Sequence, residues 1–324
     1  MSDNFLELKE VLGERVKESE PMALHTTFKI GGPARFYFEA KEVKEIVEAV
    51  TLCQKLSLPY FILGGGSNIL TSDAGFPGLV IKNKAEKIKI AGYQGKIQKL
   101  ERKVDKLFIE AESGVLMNTL VRYSLEEGLS GLEYFLGLPG TVGGAVYINA
   151  HFKNNFVGDC LEKAKILGKD GKIREVDNYY FHFAYDQSIL QKTGEVLLSV
   201  ILKLTGGDKD ALWQAAQVAL ELRRKNHHYD MPSAGCIFRN ISKVDALRLG
   251  TPDLTQSAGF LIEASGLKGK AIGGAQFSSV HANFIVNCGS AKAADVIELI
   301  NLAKAKVKEK FGVNLKEEVV CLGG

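Results

Sequence analysis

The sequence predicts an α+β protein built from three sub-domains. Short runs rich in β-branched and aromatic residues alternate with stretches of helical period. Glycines, 34 against 7 prolines, cluster at residues 64–66, 131–144 and 206–207 and punctuate those runs. Near the C-terminus, residues 291–311 carry a long one-sided apolar pattern.

Residues 34–40 (ARFYFEA) follow Gly31-Gly32-Pro33 and read as a strand. Val43, Ile46, Val47 and Val50 recur at i, i+3, i+4, i+7, so residues 41–56 read as an amphipathic helix, stopped by Pro59. Residues 60–63 (YFIL) make a buried strand, Gly64-Gly65-Gly66-Ser67-Asn68 forces a turn, and residues 79–81 form the next strand. Residues 82–106 are thick with lysine and read as a solvated hairpin at a sheet edge, where lysine blocks edge-to-edge pairing. A strand at 107–111 and a helix at 115–129 precede a Gly-rich segment, 131–149. Residues 166–204 alternate apolar runs with turn signals such as Lys169-Asp170-Gly171. Gly206-Gly207-Asp208 marks a boundary before a helix at 211–225. Residues 259–263, 271–277 and 283–287 read as short strands. The final helix puts Val296, Leu299, Ile300, Ala303 and Val307 on one face. These breaks divide the chain into 1–84, 85–205, 206–311 and a return segment, 312–324.

Charge and cysteine content narrow the function. With 41 Lys+Arg against 38 Asp+Glu the net charge is +3, too balanced for a nucleic-acid partner. An apolar share of 46% argues against disorder. Five cysteines, widely spaced and without a C-x-x-C, fit neither a disulfide scaffold nor a zinc site, so no metal is expected. Residues 1–10 lack the apolar core of a secretory signal. The uncharged stretches 134–152 and 271–291 are broken by glycines and polar residues, which excludes a membrane span there. The reading is a soluble, cytoplasmic monomer with neither membrane nor nucleic-acid partner.

Three segments carry chemistry. After the strand at 60–63, Gly64-Gly65-Gly66-Ser67-Asn68 exposes backbone N–H groups suited to an anionic oxygen. It is not a P-loop, having no Gly-Lys-Ser/Thr, and Ile69 stands where a dinucleotide fingerprint needs its third glycine. A tight surface turn is the other reading, and this segment alone leaves both open. The second, 131–149, sets five glycines and Pro139 in an apolar run, as a backbone does where a large flat or anionic group approaches. A buried loop packing two sub-domains would look the same, but two such loops in one chain favour binding. The third runs from Arg223-Arg224-Lys225 to Pro232-Ser233-Ala234-Gly235-Cys236-Ile237-Phe238-Arg239-Asn240. Its cations can pair with a diphosphate and its thiol can act as acid or nucleophile. Alternatively the cations complement a helix dipole and the cysteine is a small buried hydrophobe.

Together these segments resemble the UDP-N-acetylenolpyruvoylglucosamine reductase (MurB) family. So do residues 25–34 (HTTFKIGGPA), 257–263 (SAGFLIE) with Gly266-Leu267-Lys268-Gly269, His281-Ala282-Asn283-Phe284, and Leu315-Lys316-Glu317-Glu318-Val319. Seven stretches in family order span residues 25–323. The resemblance implies two sub-domains forming an FAD-binding module of the PCMH/VAO type and a third, α+β, for substrate. The run from Tyr185 into the next domain without a long insertion looks like the shorter subtype lacking an extra substrate loop. NADPH would reduce FAD, and hydride would then pass to C3 of the enolpyruvyl group of UDP-GlcNAc-enolpyruvate, with a proton delivered to C2. Carried onto this chain, the resemblance makes Cys236 the proton donor, where the family usually has serine, and Glu318 the catalytic glutamate. A thiol ordinarily ionises near pH 8.5, so it donates a proton more readily than a hydroxyl.

Cofactor contacts would come from Ile30, Gly31, Gly64, Gly65, Gly66, Ser67, Asn68, Ile69, Pro139, Gly140, Thr141, Gly143, Gly144, Ala145 and Asn149. The two glycine loops would cradle the FAD pyrophosphate and flank its ring. Substrate contacts would come from Arg224, Lys225, Arg239, Asn240, Lys268 and His281. The chain departs from the pattern twice more. Tyr185-Asp186-Gln187-Ser188 stands where Tyr-Arg-x-Ser is common, so an acid replaces a residue that would counter the substrate carboxylate. Ala150-His151 stands where Ala-Gly is usual. The alternatives are another FAD oxidoreductase of the same flavin-binding fold, or a catalytically impaired flavin- or nucleotide-sugar-binding homologue.

Overall fold

The structure, a computed structural model, describes residues 3–98, 101–226 and 231–323. Backbone contacts divide the chain into two units. The first comprises Met1–Lys17, Tyr37–Gly65 and Leu79–Arg223, the second Glu18–Phe36, Gly66–Gly78 and Arg224–Gly324. The divisions differ from the breaks read in the sequence. Residues 18–36 and 66–78, expected in the first sub-domain, belong to the second unit, and most of the helix expected to open the substrate domain belongs to the first. Such excursions are set by long-range contacts, which local pattern does not record.

In the first unit the helix Val43–Lys55 buries Ile46, Ala49, Val50, Leu52 and Cys53, the face its periodicity marks. Tyr60–Leu63 pairs in parallel with Phe76–Asn83, Leu63 standing opposite Lys82. A second sheet is built on Val196–Gly206, which pairs antiparallel with Leu161–Leu167 and with Glu101–Glu112. The lysine-rich hairpin is real: Ile88–Gln98 pairs with Glu101–Glu112 and forms the sheet's edge. Its turn, 99–100, lies outside the described residues. Lys82 and Asn83 do not belong to it. They end the preceding strand, Phe76–Asn83, with Asn83 buried. Helix Met117–Glu126 packs Leu120, Val121 and Leu125 onto the sheet's apolar face, against Ile109, Val200 and Leu202.

The second unit carries a four-stranded antiparallel sheet in the order Ser233–Cys236, Phe284–Asn287, Ala275–Phe277, Ala271–Ile272. Helix Ala293–Phe311 lays Val296, Leu299, Ile300, Ala303 and Val307 into its core, as the sequence predicts. Val320–Leu322 pairs in parallel with Ile69–Thr71. The expected strand 271–277 is instead two, Ala271–Ile272 and Ala275–Phe277, folded back antiparallel on each other. Residues 259–263, expected as a strand, lie within a helix, Ala258–Ala264. The run is too short and too evenly apolar for period to decide. Ser257 decides it, accepting the Phe260 N–H at 3.2 Å as an N-cap.

The long helix starts on borrowed carboxylates. Asp73 accepts the N–H groups of Ala293 at 2.8 Å and Ala294 at 3.0 Å, 220 and 221 residues away in sequence. Asp295 accepts those of Lys292 and Gly274, which hold its carboxyl below the usual range. Replacing Asp73 by alanine orphans two helix-end donors. It should lower unfolding stability by about 1 kcal/mol, read as a smaller denaturant midpoint at unchanged slope.

Candidate active site

The two glycine-rich segments meet at the backbone in the first unit. A Cβ built on Gly65 would lie 2.6 Å from Gly140 Cα, and one on Gly64 would lie 2.5 Å from Thr141 Oγ1. Glycine here is a condition of contact. The half-buried Lys82 reinforces it, donating from Nζ to Gly64 O at 2.6 Å, and burial pushes the lysine pKa down. Sequence reading missed Lys82 because it is the first residue of a lysine-rich run, most of which is solvated.

The segments use their backbone differently. Residues 142–147 are a short helix rather than a loop, capped by the buried Thr141, whose Oγ1 accepts the Gly144 N–H at 3.3 Å. Its remaining leading N–H groups are also taken: Val142 by Val115 O, Gly143 by Ser113 O and Ala145 by Thr141 O. Ser113 is itself held by Asn83 Nδ2 at 2.8 Å and donates to Leu197 O. Among the described residues, nothing accepts from the N–H groups of Gly65, Gly66 and Ser67. A row of open donors on a glycine turn suits a pyrophosphate. The anion-binding reading therefore fits the first segment, while residues 142–145 provide close approach without free donors. Pro139 and Gly144 are exposed, and Ala145 is buried. Asn149 is buried and engaged at both ends of its amide, Nδ2 to Ala184 O at 3.1 Å and Oδ1 from Gly158 N–H at 3.0 Å. It fastens the segment's end.

In the second unit Cys236 and Glu318 come to one place. Strand Ser233–Cys236 carries a register shift before Cys236, which pairs with Phe284. The shift lies between Ser233 and Cys236, where Gly235 has a φ of +79° that a side-chain-bearing residue would resist. Glu318 donates its N–H to Ile237 O at 2.8 Å, so its backbone lies beside the neighbour of Cys236. Both residues are half-buried. The buried Asn283 fixes this stretch: Oδ1 accepts the Phe238 N–H at 2.9 Å, Nδ2 donates to Phe238 O at 2.7 Å, and its own carbonyl accepts the Ile237 N–H. Asn68 donates from Nδ2 to Glu318 O at 3.2 Å, and Ile69 pairs with Val320. Thr27 donates its N–H to Gly66 O and its hydroxyl to Ser233 O at 2.8 Å. The turn 66–68 is thus tied to both catalytic candidates. Ile30 is buried and Gly31 half-buried beside Thr71.

The substrate candidates divide. Asn240, Lys268 and His281 gather about helix Ala258–Ala264: Asn240 Oδ1 accepts the Ala258 N–H, Lys268 Nζ lies 2.9 Å from Glu263, and His281 packs against Gly259. Arg239 is half-buried and its N–H reaches Lys316 O. Arg224 and Lys225 stay exposed on the last turn of helix Lys209–Asn226. Sequence reasoning missed the clamp role of Asn283, although it lies in the quoted His281–Phe284 stretch, because a lone amide gives no sign of its partner.

A class follows from this arrangement and from its relatives. Residues 34–177 match the FAD binding domain family, and residues 227–322 the UDP-N-acetylenolpyruvoylglucosamine reductase C-terminal domain family. The chain is a flavoprotein oxidoreductase. It is 38% identical to the UDP-N-acetylenolpyruvoylglucosamine reductase of Anoxybacillus flavithermus, over 95% of this chain and 94% of that one. It is 37% identical to the Bacillus subtilis enzyme of that name, over 98% and 97%. The crystal structure of the Thermus caldophilus reductase superposes with a TM-score of 0.73 at 31% identity, covering 95% of this chain and 99% of that one. The chain belongs to the UDP-N-acetylenolpyruvoylglucosamine reductase family.

Two outcomes follow. Gly65→Ala should purify with at least tenfold less bound FAD, since a methyl must displace backbone at Gly140; the flavin-to-protein absorbance ratio reads it. His281 accepts the Asn283 N–H on Nδ1 at 3.2 Å, so it is neutral there, and burial lowers its pKa. Its contribution to stability is complete above the ordinary histidine value, about 6.5. It is lost as pH falls from there toward the lowered folded value, because the unfolded chain then binds the proton more readily. Melting curves at pH 7.5 and 5.5 should show a larger drop for the wild type than for His281→Gln.

Proposed function

We propose that this chain reduces UDP-GlcNAc-enolpyruvate to UDP-N-acetylmuramate, with NADPH as the electron source, as a soluble cytoplasmic enzyme. The observation that supports it best is the backbone bond that sets Glu318 beside Ile237, next to Cys236, in a chain related to the reductases over nearly its whole length. FAD, when bound, relays the hydride from NADPH to C3 of the enolpyruvyl group. The open N–H groups of Gly65, Gly66 and Ser67 would hold its pyrophosphate, with Gly65 packed on Gly140 and Gly64 on Thr141. The protein's own task is then to manage charge and one proton.

Hydride addition leaves negative charge on C2 and the neighbouring carboxylate, and C2 must be protonated. Cys236 is the donor in this reading. Gly235 turns the strand at Cys236, and Asn283 and the Glu318 backbone bond hold the residue after it, so the thiol sits on a fixed backbone. Glu318 is the second catalytic group in this reading, its backbone bonded to the residue after Cys236. Asn240, Lys268 and His281 offer an amide, a cation and a neutral imidazole for the sugar nucleotide, around one short helix.

The test is an anaerobic flavin titration. NADPH should bleach the flavin and UDP-GlcNAc-enolpyruvate should restore it. Cys236→Ser should keep substantial turnover, whereas Cys236→Ala should bleach normally and reoxidise about 10²–10⁴-fold more slowly, the usual worth of a general acid. Normal reoxidation in the alanine variant would remove Cys236 from the mechanism. Bleaching without recovery in the wild type would point to another flavin oxidoreductase.

A further inference from the structure

The lysine-rich run opens on a residue unlike those that follow it. Lys84, Lys87 and Lys89 are exposed and pair with carboxylates, Lys84 with Glu86, Lys87 with Glu42 and Lys89 with Glu110. Lys82 is half-buried and forms no ion pair among the described residues. Taking a charge out of water without a counter-charge is costly. Burial pushes this lysine's pKa down, Lys84 adds to the fall, and Glu39 and Glu86 oppose it. Among the described residues the ammonium has one hydrogen-bond acceptor, Gly64 O at 2.6 Å.

That carbonyl shares a peptide bond with the Gly65 N–H. No peptide bond among the described residues is cis, and in a planar trans peptide the C=O and N–H point in opposite directions. Pinning Gly64 O on Lys82 therefore aims the Gly65 N–H away from the lysine. Both flanks of the peptide are closed, Gly64 against Thr141 and Gly65 against Gly140, so it has little room to turn over. The N–H meets no acceptor among the described residues. A cation on the carbonyl also draws electron density along the amide, which makes the N–H a stronger donor, as neighbouring hydrogen bonds polarise one another.

We propose that Lys82 is a positioning residue for the cofactor diphosphate: its ammonium, acting through the 64–65 peptide, aims and polarises the Gly65 N–H toward the anion. This rests on the FAD site proposed above. Lys82 acts from behind the turn, and a bound diphosphate would give the ammonium the counter-charge that the described residues do not supply.

The test is flavin release from the diluted holoenzyme, read by fluorescence, with ADP and riboflavin as competitors. ADP carries the diphosphate without the flavin, and riboflavin the ring without the diphosphate. Lys82→Met should raise the Kd for FAD and the inhibition constant for ADP together, by about 10–100-fold, the worth of one charge-assisted hydrogen bond. Riboflavin should stay within about threefold. Lys82→Gln, a neutral donor, should fall between, at about 3–10-fold for FAD and ADP. Lys82→Met that holds FAD as the wild type does, with UDP-GlcNAc binding weakened or not, would overturn the proposal. So would a loss shared equally by riboflavin, which would make Lys82 a packing residue of the pocket. Lys82→Gln indistinguishable from the wild type would leave the charge idle and overturn it as well. A wild-type chain that binds no FAD would overturn the cofactor site itself, and this proposal with it.

Discussion

Contact between two backbones, at Gly65 and Gly140, governs the flavin-binding unit. Gly65 cannot carry a Cβ without pushing the chain at Gly140 away. Once the two segments touch, the rest of the local structure is committed. Lys82 must reach Gly64 O from the adjoining strand, Thr141 must cap the helix that follows, and Ser113 must accept the Gly143 N–H. Asn83 then has to hold Ser113. A chain of buried polar groups therefore runs from the strand Phe76–Asn83 to the glycine segment, each with a partner. Such a network is rigid because breaking any link leaves an unsatisfied group in a low-dielectric interior. Rigidity there keeps a row of N–H groups open at 65–67 while closing those at 142–145.

The second unit solves a different problem with the same means. Its catalytic candidates come from segments 82 residues apart, and neither belongs to a long element. Asn283 takes the place of a missing strand, pairing its amide with the Phe238 backbone as a neighbouring peptide would. The Glu318 segment joins from the other side through Ile237 and Asn68. Asp73 links the turn region to the long helix. In each case a short polar side chain replaces a sheet ladder, which lets the chain bend at Gly235 without losing its hydrogen bonds.

Local pattern carried far in this chain. The helix at 43–55, the strand at 60–63 and the apolar face of 293–311 stand where period and turn residues put them. The glycine clusters marked the segments that now carry open donors or close contacts. What stayed hidden depends on partners distant in sequence. Helix 258–264 is set by one N-cap, and the short helix at 142–147 by Thr141, Ser113 and Val115. Lys82 was obscured by its lysine-rich neighbours. The passages of 18–36 and 66–78 into the second unit leave no local trace, since a strand reads the same whichever core it serves. Of the site, residue types were legible and their bracing was not.

The departures at 151 and 186 show why a residue should be judged with its neighbours. Taken alone, an acid in place of a basic residue looks like lost function, since it would repel a carboxylate. Beside His151 it has another meaning. Its Oδ1 reaches the His151 ring nitrogen, so the buried acid has a partner that its place in the sequence does not show. The turn conformation agrees: Asp186 sits at positive φ, which aspartate tolerates better than most side chains, and its neighbour Tyr185 covers the imidazole ring. The substitution and its compensation lie 35 residues apart in sequence and 3.3 Å apart in the fold. Change at one position without the other would leave either a buried lone carboxylate or an unsupported imidazole, so the two replacements make physical sense only together.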